Sequence, residues 1–448
     1  MVYADIYVVK LAMMGIGIEA KVLASGVFIS KRDPLLVMKE DLHKVVNFID
    51  LEIDNVDNTV TATAFGFFER TAVYREGLGC TLLIDAADRR SLPKVTVDLT
   101  PKPENQRTLP WPTGERIESD ELPPGVDGAL LEQALDEAFT EPDYDNPRRT
   151  RAVVVLYDGR IVAERYALSI NRSTPLPGYG MTQSVINALV GIMVRNDALS
   201  LNDPAKVPEW NGQNDPRRTI TLDHLLRMSS GLAFDDSTPP LTDTVRMLGK
   251  ADMAAYAADK PLEAEPGSVW SFSNGTTNII SRLLRHSFNS SDNDYYLHPR
   301  RELFDKIGMR NAVIEPDESG TFVGSSYMHA AARDWARFGL LYLWDGVWEG
   351  ERILPEGWVD YSRTPASDGP GSLYGAHFWL DPLGPSGWDR QKQSILPEDA
   401  FFALGHNGQS VTIIPSRKLV VVRLGLTKNA ELWDLESFLL NILKAIEE

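Results

Sequence analysis

A single cysteine, Cys80, stands in 448 residues. That excludes an intramolecular disulfide, and without a CxxC or a spaced Cys/His cluster it also excludes a thiolate zinc site. Basic residues are in deficit: 45 Lys and Arg against 63 Asp and Glu leave a formal net charge of -18. With no Lys/Arg run to offset it, this charge disfavours nucleic acid and an anionic membrane face as partners. Long clean hydrophobic runs are missing as well. The apolar N-terminus, "MVYADIYVVKLAMMGIGIEAKVL", is interrupted by Asp5 and Lys10, and no small-residue cleavage site follows it cleanly. It reads as a short buried strand or helix, which favours a cytoplasmic location over export. Within it "GIGIEA" (Gly15 to Ala20) matches part of a dinucleotide-binding glycine pattern, but no βαβ unit follows, so no nucleotide cofactor is expected. His43, His224, His286, His298, His329 and His377 show no metal-ligand spacing and are expected to be structural or exposed. No metal and no other cofactor is implied.

What is present divides the chain. Residues 1–105 form a β-rich leading segment, in which "GVFISKRD", "TVTATAFGFF", "RTAVYREGLG" and "CTLLID" have the composition and turn boundaries of strands. A proline-rich stretch follows at 106–125, part of the run from Thr100 to Gly125 that holds six prolines, and it reads as a linker or wrapping arm. Residues 126–448 make the main domain. Here "DGALLEQALDEAF" has helical spacing, and "TRAVVVLYDGRIVAERYA" is two strands joined at an Asp-Gly turn. A helix- and loop-rich region spans about 195–395, in which Thr221 is placed to N-cap "LDHLLRM". Three strand-like runs then fill "DAFFALGHNGQSVTIIPSRKLVVVRLG", and the closing helix carries an apolar face of Leu432, Leu435, Phe438, Leu439, Ile442 and Ile446, suited to packing on a sheet. The expected fold is α/β of the α+β kind: one antiparallel sheet built from early and late strands, flanked by helices, with a helical insertion.

The order and spacing of "ALVGIMV", "LDHLLRMSSGL", "PGSVWSFSNGTTNIISRLLR" and "FFALGHNGQSVTIIP" resemble the serine β-lactamase and penicillin-binding-protein superfamily, nearest the branch of class C β-lactamases, esterases and 6-aminohexanoate-dimer hydrolases. Such proteins acylate a serine in an S-x-x-K motif at the start of a buried helix, where positions three apart share a face and the lysine can deprotonate the serine. The resemblance puts Gly180 and Gln183 at these positions. Glycine has nothing to acylate, and a glutamine amide does not take a proton near neutral pH. The Tyr-x-Asn motif corresponds to Phe272, Ser273 and Asn274, which keeps the ring and the asparagine but drops the hydroxyl. The Lys-Thr-Gly motif corresponds to His406, Asn407 and Gly408. The other S-x-x-K, "SLPK" (Ser91 to Lys94), carries Pro93 in a turn-like context and does not put Ser and Lys on one helix face.

What remains by resemblance is an oxyanion hole from the backbone N–H groups of Gly180 and Gln409, lined by Asn274 and His406 and, beside them, Asn407 and Gly408; glycine at 180 is expected to enlarge the space in front of the donors. Three readings stay open. The first is a non-acylating pseudoenzyme that binds a small acyl, amide or peptide-like ligand or has a structural or regulatory role. The second is an enzyme using the oxyanion hole and His406 for non-covalent acid/base chemistry. The third is a disabled esterase or amide hydrolase.

Overall fold

The computed structural model describes residues 2–43, 49–86, 89–102, 108–119, 121–143, 145–236, 242–288, 291–384 and 394–446, with side chains from Met13 onward.

The chain opens with a helix of 23 residues, α1 (Val2–Ala24), far longer than the short element expected. It continues through a widened turn at Ser25–Ile29, so "GVFIS" is helical and not a strand. Its apolar residues serve a helix because they meet a sheet on one side: Ile16, Ala20, Leu23, Ala24, Phe28 and Ile29 are buried against Val60, Ala62, Ala72, Cys80 and Leu82. "GIGIEA" therefore lies inside this helix. After α2 (Pro34–Glu40), capped by Asp33, an antiparallel meander runs β1 (Ile49–Asp54), β2 (Thr59–Ala64), β3 (Phe68–Arg75) and β4 (Gly79–Leu82).

The proline-rich stretch is held fast where it is described. Trp111 lies under the Arg337 guanidinium at 4.5 Å, and Arg337 donates to the carbonyls of Pro112 and Gly114. It leads into α3 (Gly128–Phe139), whose N-cap Asp127 accepts from Ala129 and Leu130 N–H.

The main sheet takes β5 (Thr150–Tyr157) and β6 (Arg160–Tyr166) from early in this region. Asp158 and Gly159 make the turn between them, both at positive φ, as a two-residue hairpin turn requires. The chain passes through the short β7 (Leu176–Pro177) into α4 (Met181–Arg195), then α5 (Leu222–Leu226), α6 (Asp243–Leu248), α7 (Met253–Ala258), α8 (Asn274–His286), α9 (Asp292–Pro299) and α10 (Asp305–Ile307). Thr221 caps α5 in a reciprocal pair with His224, as its placement implied. β8 (Val313–Ile314) and β9 (Met328–Ala330) join β7 in a small sheet; α11 (Ala332–Leu343), the hairpin β10 (Val347–Trp348) and β11 (Glu351–Arg352), and α12 (Trp358–Arg363) follow. Last come β12 (Phe401–Gly405), β13 (Gln409–Ile414), β14 (Leu419–Gly425) and α13 (Leu435–Lys444).

The main sheet is antiparallel in the order β12-β13-β14-β5-β6, early and late strands meeting at β14 and β5. Both faces are covered, which is why β5 is apolar throughout: Ala152, Val154 and Leu156 face the core that holds α4, α8 and α11, while Val153 and Val155 face α3 and α13. This leaves β12 as an edge strand, lying against the start of α4.

Candidate functional site

Helix α4 begins at Gly180, in helical conformation and without a capping side chain. The turn before it supplies the missing acceptors: Met181 N–H donates to Gly178 O at 3.1 Å and Thr182 N–H to Tyr179 O at 2.9 Å. Tyr179 enters this turn at φ 47°. Against it runs the end of β12. A Cβ on Gly180 would stand 2.6 Å from the Leu404 carbonyl oxygen, and one on Gly405 would stand closer still to the Gly178 carbonyl oxygen. Two glycines therefore let two backbones touch. The expected enlargement at Gly180 is overturned: the space a side chain would need is taken by strand backbone.

One turn further on, Gln183 is buried and fully engaged. Its Nε2 donates to Asn274 Oδ1 at 3.1 Å, and its Oε1 accepts from the Tyr374 hydroxyl at 3.3 Å. Asn274, the first residue of α8, passes the chain on through Nδ2 to Thr244 Oγ1 at 2.9 Å. Thr244 donates from N and Oγ1 to the two oxygens of Asp236 at 2.9 and 2.7 Å. Burial holds the Tyr374 hydroxyl far above its ordinary pKa. From Tyr374 to Thr244 every member is neutral, and Asn274 Nδ2 also reaches the Asp236 carboxylate directly at 3.4 Å.

Phe272 is half-buried in an aromatic group with Trp270, Tyr374 and Trp379. Its ring lies 5.6 Å from Trp379 and 6.2 Å, edge-on, from Tyr374. Tyr374 and Trp379 meet edge-to-face at 4.8 Å. A ring at 272 fits this packing without a hydroxyl.

The turn after β12 is pinned from beneath. Gln409, buried in β13, turns its side chain back to donate to Gly425 O at 2.6 Å and to His406 O at 3.1 Å, while accepting from Gly425 N–H. Arg423, buried in β14, donates to the carbonyls of Asn407 and Gly408 at 3.1 and 2.9 Å and lies 4.3 Å over the Trp433 ring. Burial, with Arg148 adding to it, pushes its guanidinium down to about 9. Asn407 sits at φ 62°. His406 is exposed, with its ring edge-on to Tyr179 at 5.7 Å. Packed chain around it and the nearby His43 lower its pKa.

The structure thus brings Gly180, Gln183, Asn274 and the backbone of β12 together and places Phe272 beside them. His406, Asn407 and Gly408 form the turn just beyond. The strand backbone that meets the side-chain position of Gly180 is Leu404 and Gly405, one strand away from Gln409. Ser184, the next serine on α4, is buried and donates to His377 O at 2.6 Å. His377 donates from Nδ1 to the Gln183 carbonyl at 3.0 Å, and burial pushes its pKa down to about 3, so it is neutral. Ser91 ends a single turn of 3₁₀ helix and Lys94 lies on the irregular chain after it, both exposed. Tyr374 and Thr244, which complete the Gln183 network, carry no sequence signal beyond the aromatic run around "YGAHFW". Among the described residues no group of three or more His, Cys, Asp and Glu is placed to hold a metal, and no helix is long and apolar enough to cross a membrane.

A family model described as Beta-lactamase matches residues 135–430, more than half of the chain. No curated protein matches it. Among solved structures, a Bacillus anthracis protein provisionally named a 6-aminohexanoate-dimer hydrolase is similar at 24% identity, over 70% of this chain and 80% of its own, with a TM-score of 0.55. A penicillin-binding-protein homologue from Caulobacter crescentus is similar at 14% identity over 71% and 96%, TM-score 0.55. A family VIII carboxylesterase is similar at 12% identity over 72% and 97%, also with a TM-score of 0.55. At these identities the likeness is one of fold.

Proposed function

The chain belongs to the beta-lactamase family, and we propose that within it this protein is a non-acylating member, a pseudoenzyme with a structural or regulatory role. The observation that carries this reading is the 2.6 Å approach of the Leu404 carbonyl oxygen to the position of a Cβ on Gly180. An acyl enzyme needs a side-chain oxygen at the helix start, a base beside it and donors facing the oxyanion. Here the nucleophile's position has no side chain, the base's position is an amide bonded to Asn274 and Tyr374, and the atom facing the helix start is an acceptor. A carbonyl oxygen there repels the carbonyl, carboxylate or oxyanion that family chemistry would bring. The same contact argues against a small acyl or amide ligand at the helix start, which would have to displace β12 to enter.

Acid/base chemistry by His406 has less support, because that ring is exposed at the turn and packs edge-on against Tyr179. The test is intact-mass analysis after incubation with a fluorophosphonate and, separately, a β-lactam. The wild type is expected to keep its mass, and a label on any serine overturns the reading. A Gly180→Ser, Gln183→Lys, Phe272→Tyr variant is expected to stay unlabelled too, since the new side chain meets the strand. Labelling of that variant alone would favour a disabled hydrolase whose frame is still open.

A further inference from the structure

The N-terminal segment touches both sides of the cleft. On the helical side, Met14 of α1 packs on Gly249 at the end of α6, where a Cβ would lie 2.8 Å from Met14 Cγ. Helix α6 is the wall that presents Thr244 to Asn274. On the sheet side, Lys21 Nζ pairs with the buried Glu315 at 2.6 Å and lies 4.4 Å over the Tyr327 ring. Ser25 Oγ donates to the other Glu315 oxygen at 2.9 Å. Tyr327 adjoins β9, which pairs with β7 and takes the Gly178 N–H on Met328 O at 2.8 Å, two residues before Gly180.

A third set of contacts reaches the turn through its neighbours, since Lys428, which the segment holds at Leu42 O, follows Thr427, whose N–H donates to Asn407 O at 3.1 Å. Arg32 and Arg151 both pair with Glu40 and Asp41, at 2.5 to 3.0 Å, which fastens the end of α2 to the start of β5. Lys428 Nζ donates to Leu42 O at 2.9 Å. His43 pairs with Glu19 at 2.8 Å and lies within electrostatic reach of His406. Tyr179, the residue before Gly180, is raised to about 12 by burial and by the charge of Asp41.

We propose that residues 14–43 are a built-in cover of the family cleft, and that their docking holds the Tyr179 turn and the end of β12 in contact. This inference does not rest on the loss of acylation: a cover would close a working site as well as a dead one. The occupant of the cleft's outer rim is this segment of the chain, and access to the helix start requires it to lift. The geometry favours a device and not mere adjacency, since both segments that close on one another, 178–180 and 404–407, are flanked by residues the cover holds. The Met14 contact lies on the opposite rim.

That separation gives the test. Met14→Cys with Gly249→Cys puts two thiols at a contact where a Cβ on Gly249 lies 2.8 Å from the Met14 side chain, and the native Cys80 is buried with its thiol pushed up by burial and Glu315, so it does not compete. Backbone hydrogen exchange is followed by mass spectrometry in the oxidised and reduced forms. The cover predicts exchange at least tenfold slower at 178–183 and 403–407 in the oxidised form, with β14 unchanged. Equal rates in the two forms at these segments, or a slowing shared equally by β14, overturns it. Asp41→Asn, in the intact chain, tests the other clamp: exchange at the same two segments is expected to rise about tenfold, and a rise confined to residues 14–43 contradicts the coupling.

Discussion

The seam under the N-terminal segment and the cleft it covers are built from opposite materials. In the seam, Lys21, Glu315, Arg32, Arg151, Glu40 and Asp41 are drawn together in paired charges, several of them almost fully buried. In the cleft, Gly180, Gln183, Phe272, Asn274 and Tyr374 are all neutral. A serine hydrolase of this fold concentrates its charge where the nucleophile is activated. In the seam, buried charge lies at a docking surface, where it fixes one segment against another and pays a desolvation cost that only complete pairing offsets. The contrast teaches that the cleft keeps its shape through amide and aromatic packing, whereas the seam sets the position of the parts around it.

The largest effect is expected at the seam. Lys21→Met leaves Glu315 buried without its ammonium partner, and should destabilise by about 3–5 kcal/mol, read as a fall in Tm. A loss under 1 kcal/mol would remove the contrast. The pH dependence follows. Burial alone would raise the Glu315 carboxyl, but Lys21 and His329 bring it down to about 2. A carboxyl lowered on folding stabilises fully above its unfolded pKa, and that contribution is lost as pH falls from the ordinary range near 4.5 through about 2. The stability gap between wild type and Lys21→Met, followed by denaturant melts, should therefore close over that window; a gap constant down to pH 2 would place the coupling elsewhere.

In the cleft the effects are smaller. Gly180→Ala should cost about 1–3 kcal/mol, because its Cβ meets a backbone oxygen that cannot rotate away. A neutral or stabilising result would mean that the helix start is open. Gln183→Leu leaves Asn274 and the buried Tyr374 hydroxyl short of a partner and should cost about 1–3 kcal/mol, with a double-mutant cycle against Tyr374→Phe showing coupling. His406→Ala, at an exposed turn position, should change stability by less than about 0.5 kcal/mol; a larger loss would bring His406 into the structural account.

The main sheet was legible from sequence because its signals are local. The Asp-Gly turn sets the β5–β6 hairpin, and the apolar runs of β13 and β14 are strand-like whichever face they cover. Thr221 was legible for the same reason, a cap needing only its own first turn. The N-terminus misled because β-branched and aromatic residues in "GVFIS" are equally at home in a helix buried on one side, and burial is set by a meander read later in the chain. β1 went unread, its acidic and apolar alternation being weaker than that of β2 and β3. At the candidate site, the replacements at 180, 183 and 272 could be read from spacing, but their consequence could not. A missing side chain says nothing of what fills its place, and Leu404 is more than two hundred residues away in sequence. Tyr374 and Thr244 join Gln183 only through tertiary contact.

The most direct test of a closed, non-acylating cleft is turnover of an activated ester such as p-nitrophenyl acetate by the wild type, beside Gly180→Ala. Rates should be linear in ester concentration and equal for both proteins, as expected of adventitious surface nucleophiles. Saturable hydrolysis by the wild type that the Gly180 substitution abolishes would show a working site at the start of α4 and contradict the account.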